Sequence, residues 1–115
     1  MTSILISPGF GAGWSTWNTN YDPTQQAYML THGRTIEAIR MGEELTTKHW
    51  DAFEEDWKYH FGDEYVPYEG GFFDLVIREV DGPFIVEEYD GSESLRVADA
   101  VDWWYPYAGS VRKRV

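Results

Sequence analysis

Residues 72–89 decide the fold: Phe72-Phe73-Asp74-Leu75-Val76-Ile77-Arg78-Glu79-Val80-Asp81-Gly82-Pro83-Phe84-Ile85-Val86-Glu87-Glu88-Tyr89. Aromatic and β-branched residues dominate two runs, 72–80 and 83–89, with Asp81-Gly82 between them. Asp-Gly between apolar runs is a hairpin cue, so the two runs are predicted to pair across that turn. Pro83 has no N–H to return to a ladder, which predicts a longer turn or a bulge there. Asp90-Gly91 marks the next turn, and 94–97 reads as a third strand of the same meander.

Upstream lies a helical pattern at 46–61. Trp50, Phe53, Trp57 and either His60 or Phe61 recur at steps of three and four, while Asp51, Glu54, Glu55 and Lys58 fall on the opposite face. Thr46 or Thr47 can cap this helix and Gly62 can end it. Asp22-Pro23 reads as an N-cap followed by Pro at the first helical position, opening a short helix over 23–32 that ends at Gly33. Another short helix is predicted over 35–41, with Ile36 and Ile39 inward and Gly42 closing it. Ile4-Leu5-Ile6, stopped by Pro8-Gly9, reads as a short buried strand. Strand, helices, then strands predict the α+β class: a single small domain, a mainly antiparallel sheet, and two or three helices packed on one face. One domain over 1–115 fits the length, with about 110–115 a frayed basic tail around Arg112-Lys113-Arg114.

Charge and composition narrow the function classes. The chain has 20 acidic and 9 basic residues, a formal charge of −11. That balance argues against direct nucleic-acid binding, which needs Lys and Arg to displace counterions, and against docking on anionic lipid. No apolar run approaches the roughly 20 residues of a membrane span. The opening residues lack a basic, then apolar, leader pattern, so a cytoplasmic location is expected. With no Cys, disulfides and thiolate zinc sites are excluded, as suits a reducing compartment. An aromatic content of 17% separates the chain from acidic disordered sequences, which are poor in rings.

Two segments are candidates for a ligand site. In Pro8-Gly9-Phe10-Gly11-Ala12-Gly13-Trp14-Ser15-Thr16-Trp17-Asn18, glycines at 9, 11 and 13 free backbone N–H groups that can wrap an anion. Phe10, Trp14 and Trp17 supply rings for stacking; Ser15, Thr16 and Asn18 supply hydrogen bonds. The alternative is a structural loop whose Trp residues plug the core. The segment lacks the third glycine of the dinucleotide fingerprint and the Lys-Ser/Thr of a P-loop. The second segment is the acidic turn 87–94, from which Tyr89, Asp90, Ser92 and Ser94 are placed in the same pocket. Its spacing is not that of a calcium loop, so its carboxylates read as a solvated rim. Arg78 either receives an anionic ligand or pairs with Glu87 or Glu88 across the hairpin. His32, His49 and His60 lack metal-ligand spacing, and His32 reads as a helix-end charge or a surface group. Neither a metal, a cofactor nor a catalytic residue is predicted; there is no Cys and no Gly-x-Ser-x-Gly elbow. Four rings at Trp103, Trp104, Tyr105 and Tyr107 cannot all enter one core, which raises a homo-oligomer through that segment.

Residues 6–18, ISPGFGAGWSTWN, and 82–94, GPFIVEEYDGSES, resemble small uncharacterised proteins of tailed bacteriophages. The resemblance implies an accessory phage protein made in the host cytoplasm and brings no established activity. Together with the residues, it leads to three expectations. First is a ligand-binding protein that sequesters a nucleotide-type host immune signal in a Gly/Trp-lined pocket. Second is an acidic, DNA-mimicking inhibitor of a host defence nuclease. Third, and weakest for want of ligand spacing, is a metal-dependent nucleotide-processing enzyme. The expected partner is accordingly a nucleotide-like small molecule or a host defence protein.

Overall fold

A computed structural model describes residues 2–97. The aromatic segment with Trp103, Trp104, Tyr105 and Tyr107, and the basic tail, lie outside the described residues. The chain runs β1 (Thr2–Ile6), a 3₁₀ turn (Ser15–Trp17), α1 (Pro23–Leu30), α2 (Gly33–Arg40), α3 (Thr47–Phe61), a second 3₁₀ turn (Phe72–Asp74), then β2 (Val76–Val80), β3 (Phe84–Tyr89) and β4 (Ser92–Val97). This is the α+β class that the order of patterns predicts.

The strand pairing differs from the meander. β2 pairs antiparallel with β1, from Thr2↔Val80 to Ile6↔Val76, and β3 pairs antiparallel with β4, from Phe84↔Val97 to Tyr89↔Ser92. Among the described residues there are two two-stranded sheets, and Asp81-Gly82 is a link between them rather than a hairpin turn. Pro83, which cannot give an N–H to a ladder, stands where such a hairpin would need one. Asp90 and Gly91 instead make the tight turn, with φ of 51° and 86°. Positive φ at both central residues is what a type I′ hairpin requires. Residues 72–74 also leave the predicted strand: they coil as a 3₁₀ turn that carries the Phe72 ring into the core.

The helices follow local chemistry closely. Asp22 and Gln25 form a reciprocal capping box at α1, with Pro23 in the first turn. α1 stops at Leu30, earlier than expected, and Gly33 opens α2 instead of closing α1. At α3 the box is Thr46 with His49, whose Nδ1 accepts from Thr46 N at 2.9 Å. Gly62, at φ 84°, ends that helix.

α3 sends Phe53 and Trp57 into the larger core cluster, where they meet Leu5, Trp14, Met29, Ile36, Leu45, Phe72 and Leu75. Trp14 stands edge-on to Trp50, Phe53 and Phe72 at centroid distances of 5.9, 5.2 and 5.5 Å. Such pairs contribute about 0.5–1.5 kcal/mol each beyond area burial. A smaller cluster of Ile4, Ile6, Leu30, Val80 and Val86 joins the two sheets. The sheets also touch through one backbone bond, Glu93 N to Ser7 O at 2.8 Å.

Candidate functional site

The glycine-tryptophan loop and the 89–94 turn do come together, but they close on each other. Gly11 N donates to Asp90 O at 3.0 Å, and Ser92 Oγ donates to Pro8 O at 2.7 Å. The backbones are so close that a Cβ on Gly91 would lie 2.6 Å from Gly11 C. No gap for a phosphate is left at this junction.

The loop does wrap an anion, and the anion is the chain's own. Glu93, only 2% exposed, accepts Ser7 N at Oε1 (2.8 Å) and Trp14 N (2.8 Å), Thr16 N (3.1 Å) and Thr16 Oγ1 (2.6 Å) at Oε2. Every one of these partners is a donor, the surroundings a carboxylate requires. Burial pushes the Glu93 carboxyl above the ordinary glutamate range; the Thr16 hydroxyl and the three N–H groups pull against it. Directly across the hairpin is Glu88, also buried, whose Oε2 accepts Trp17 Nε1 at 3.0 Å and Gly91 N at 2.8 Å. The acidic turn is therefore not simply a solvated rim: two of its carboxylates hold the loop. Strand alternation carries the signal, because Glu88 and Glu93 continue the row of Val86 and Leu95 on one face of the hairpin.

The predicted site residues separate accordingly. Trp14 is fully buried, with Nε1 donating to Met29 O at 3.0 Å, so it belongs to the core as the structural alternative had it. Gly13, Ser15 and Thr16 are buried with it, and Ser15 Oγ has no hydrogen-bond partner among the described residues. Asn18 is buried too: its amide donates to Trp14 O and Tyr68 O and accepts Tyr68 N. Gly9 is half-buried and Gly11 exposed. Phe10 and Tyr89 project into solvent, as do Asp90 and Ser94, while Ser92 is half-buried. Arg78 is exposed on β2, in the other sheet, and its Nη1 donates to Ile77 O. The cross-strand partner of Glu87 is Arg96, at 2.9 Å, which corrects the pairing expected for Arg78.

One expected residue reaches an open cleft. Trp17 is 37% exposed and lines a cleft of about 550 Å³ with Asn18, Asn20, Tyr21, Gln25, Tyr65, Val66 and Tyr68. The volume is within the range of small-molecule sites. The walls are fixed from behind: Asn18 ties Tyr68 to the first 3₁₀ turn, and Trp57 Nε1 donates to Tyr65 O at 2.9 Å. Tyr21 packs edge-on against Trp57, and burial pushes its phenol above the ordinary tyrosine value, keeping it a neutral hydroxyl. The cleft offers four rings, Asn20 and the NH₂ of Gln25; the Asn18 amide is taken up by Trp14 and Tyr68 and Gln25 Oε1 by Asp22 N, and none of the described lining residues is charged. The tyrosines escaped the sequence reading because 62–71 has no periodicity that says which way a ring points.

His32 is neither a helix-end charge nor a surface group. It is 4% exposed, with Nδ1 2.7 Å from Thr35 Oγ1 and Nε2 2.8 Å from Asp56 Oδ2. Burial pushes its pKa below the ordinary imidazole value, against the pull of Asp56. Burial alone would raise Asp56, but the bonds from His32 and Arg34 hold its carboxyl low. A neutral His32 thus donates from Nε2 and accepts the Thr35 hydroxyl at Nδ1. The order hydroxyl, imidazole, carboxylate is that of a proton relay, yet the Thr35 side is buried and the set serves to fasten α2 to α3. A second groove of about 480 Å³ beside it is lined by Arg34, Glu37, Glu43, Lys48 and His49, among others. Its cations are already engaged, Lys48 with Glu43 and Arg34 with Asp56, and His49 Nε2 also reaches Glu43.

Among the described residues no cluster of three His, Asp or Glu could hold a metal ion, and no helix is long and apolar enough to cross a membrane. No family model, no curated protein and no solved structure matches the chain.

Proposed function

We propose that the chain is a ligand-binding protein whose site is the cleft between the first 3₁₀ turn and residues 65–68. One observation carries the proposal: an aromatic and amide-lined cleft with no charged lining residue among the described residues, on a chain of charge −11. Such a lining suits a flat, uncharged group, with rings stacking on its face and amides meeting its edge. The layout of the acids favours this reading over mimicry of DNA. Asp56, Glu88 and Glu93 hold the chain's own donors, and Glu43, Glu79 and Glu87 stand in ion pairs. The ligand class we propose for such a cleft is a nucleotide-type signal, whose base is a flat ring with hydrogen-bonding edges. Its base would enter the cleft and its phosphates would stay at the mouth, since the loop N–H groups are taken by Glu93.

Thermal shift and calorimetric titration test this, using adenosine first and then cyclic and ADP-ribose nucleotides. A binder present at 100 times its Kd stabilises by about 2.7 kcal/mol. Binding that disappears in Trp17→Ala supports the cleft. No stabilisation by any of these compounds at millimolar concentration rejects the ligand class.

A further inference from the structure

We infer that Glu88 is a positioning residue for the cleft: its carboxylate presets the Trp17 ring and ties that wall to the β3–β4 turn. The inference rests on the cleft being the binding site, but its geometry stands apart from any ligand.

Trp17 is held by its pyrrole edge. Its Nε1 donates to Glu88 Oε2 at 3.0 Å. On the same edge of the ring, Cδ1 lies beside Gly13, where an added Cβ would be only 2.7 Å away. The same Glu88 oxygen accepts Gly91 N at 2.8 Å, so one atom joins the cleft wall to the turn residue. Behind it, Glu93 fixes the main chain on either side of Ser15 through Trp14 N and Thr16 N. An indole on an open cleft ordinarily samples several rotamers, and ordering it during binding weakens affinity. Here the ordering is done beforehand. A buried carboxylate is a poor way to gain stability alone, because an apolar residue in the same place avoids the desolvation. Val86, two residues earlier on the same face of β3, is such a residue. An acceptor at 88 instead aims one particular ring.

Both bonds end on one oxygen, Oε2. Glu88→Gln keeps an amide oxygen for both donors, whereas Glu88→Leu removes the acceptor. The first readout is hydrogen exchange at the indole N–H groups, with Trp17 assigned through Trp17→Phe. Exchange at Trp17 is expected to accelerate at least tenfold in E88L and to stay near wild type in E88Q. Trp14 and Trp57, bonded to Met29 O and Tyr65 O, are internal controls and should not change. The second readout is the Kd for adenosine, expected to weaken at least tenfold in E88L and to be retained in E88Q. Should E88L not fold, Glu88→Asp withdraws the oxygen by one methylene and gives the same contrast. Unchanged Trp17 exchange in E88L, or equal acceleration at all three indoles, overturns the positioning role. Absence of binding by the wild type to adenosine and to every cyclic and ADP-ribose nucleotide tried rejects the ligand reading instead, and the exchange arm still decides the role of Glu88.

Discussion

Replacing Glu93 tests the joint between the two sheets most directly. Glu93→Ala removes the acceptor of four hydrogen bonds, from Ser7 N, Trp14 N, Thr16 N and Thr16 Oγ1. Three of those donors are backbone N–H groups in a buried site, and each one left unsatisfied costs about 1–3 kcal/mol. The unfavourable burial of the carboxylate is removed at the same time, which offsets part of the loss. The expected net destabilisation is about 3–5 kcal/mol, a large share of the roughly 5–15 kcal/mol of a small domain. Glu93→Gln separates geometry from charge. Its oxygen can replace Oε2 and keep three donors, but its NH₂ then faces Ser7 N–H, donor against donor. That single mismatch is expected to cost about 1–3 kcal/mol. Urea denaturation followed by tryptophan fluorescence measures both. With a slope of roughly 1.5–2 kcal/mol/M, the Gln variant should lose about 1 M in midpoint and the Ala variant about 2 M. A Glu93→Ala protein within 1 kcal/mol of wild type would falsify the reasoning, and equal losses in the two variants would mean that charge rather than donor geometry holds the loop.

Three further outcomes follow from the same structure. Trp14→Ala empties a fully buried position and is expected to destabilise by about 3–5 kcal/mol, whereas Trp17→Ala should remove ligand binding at a loss of only about 1–2 kcal/mol; equal Tm shifts would contradict the separation of core from cleft. His32 has its pKa lowered in the fold, so the unfolded chain binds the extra proton first and stability falls as pH drops from about 6.5 through the folded value. His32→Asn should flatten that part of the stability curve, measured by urea midpoints between pH 7.5 and 5, and an unaltered slope would remove His32 as its cause. Gly91→Ala should destabilise by more than about 2 kcal/mol, because φ is +86° and the new methyl would press on Gly11 and Ala12; a Tm near wild type would show that loop and turn can separate freely.

The parts of this fold that were legible in the sequence are those set by neighbours in the chain. The α3 stripe of Trp50, Phe53 and Trp57 and the Asp22-Pro23 start are read correctly because helix geometry and capping act within four residues. Pairing of β1 with β2 is not local. Asp81-Gly82 and Asp90-Gly91 look equally good as hairpin turns, and what chooses between them includes Pro83 and an apolar β1 about seventy residues away in need of a partner. The meeting of loop and turn was legible from their polar, glycine-rich character. Its internal occupant is less legible, because a run of acids around a turn reads as solvated. The alternation that puts Glu88 and Glu93 beside Val86 and Leu95 was present in the sequence all along. Trp14 lies between Gly13 and Ser15 and Trp17 between Thr16 and Asn18, neighbours that carry no mark of whether an indole points in or out.

The cradle around Glu93 has a consequence for comparing this chain with others. Residues 6–18 and 82–94 are the two halves of one physical object, donors on one side and carboxylates on the other. Most donors to Glu93 are backbone N–H groups that any residue but Pro supplies, so the positions expected to vary together are 88 and 93 with Thr16 and Trp17, whose side chains donate to them. The tyrosines of the cleft sit elsewhere, at 65 and 68, and nothing in the cradle prescribes them. Proteins that carry both halves are therefore expected to inherit the same hinge-free junction while differing in what they hold, much as one socket accepts interchangeable tools.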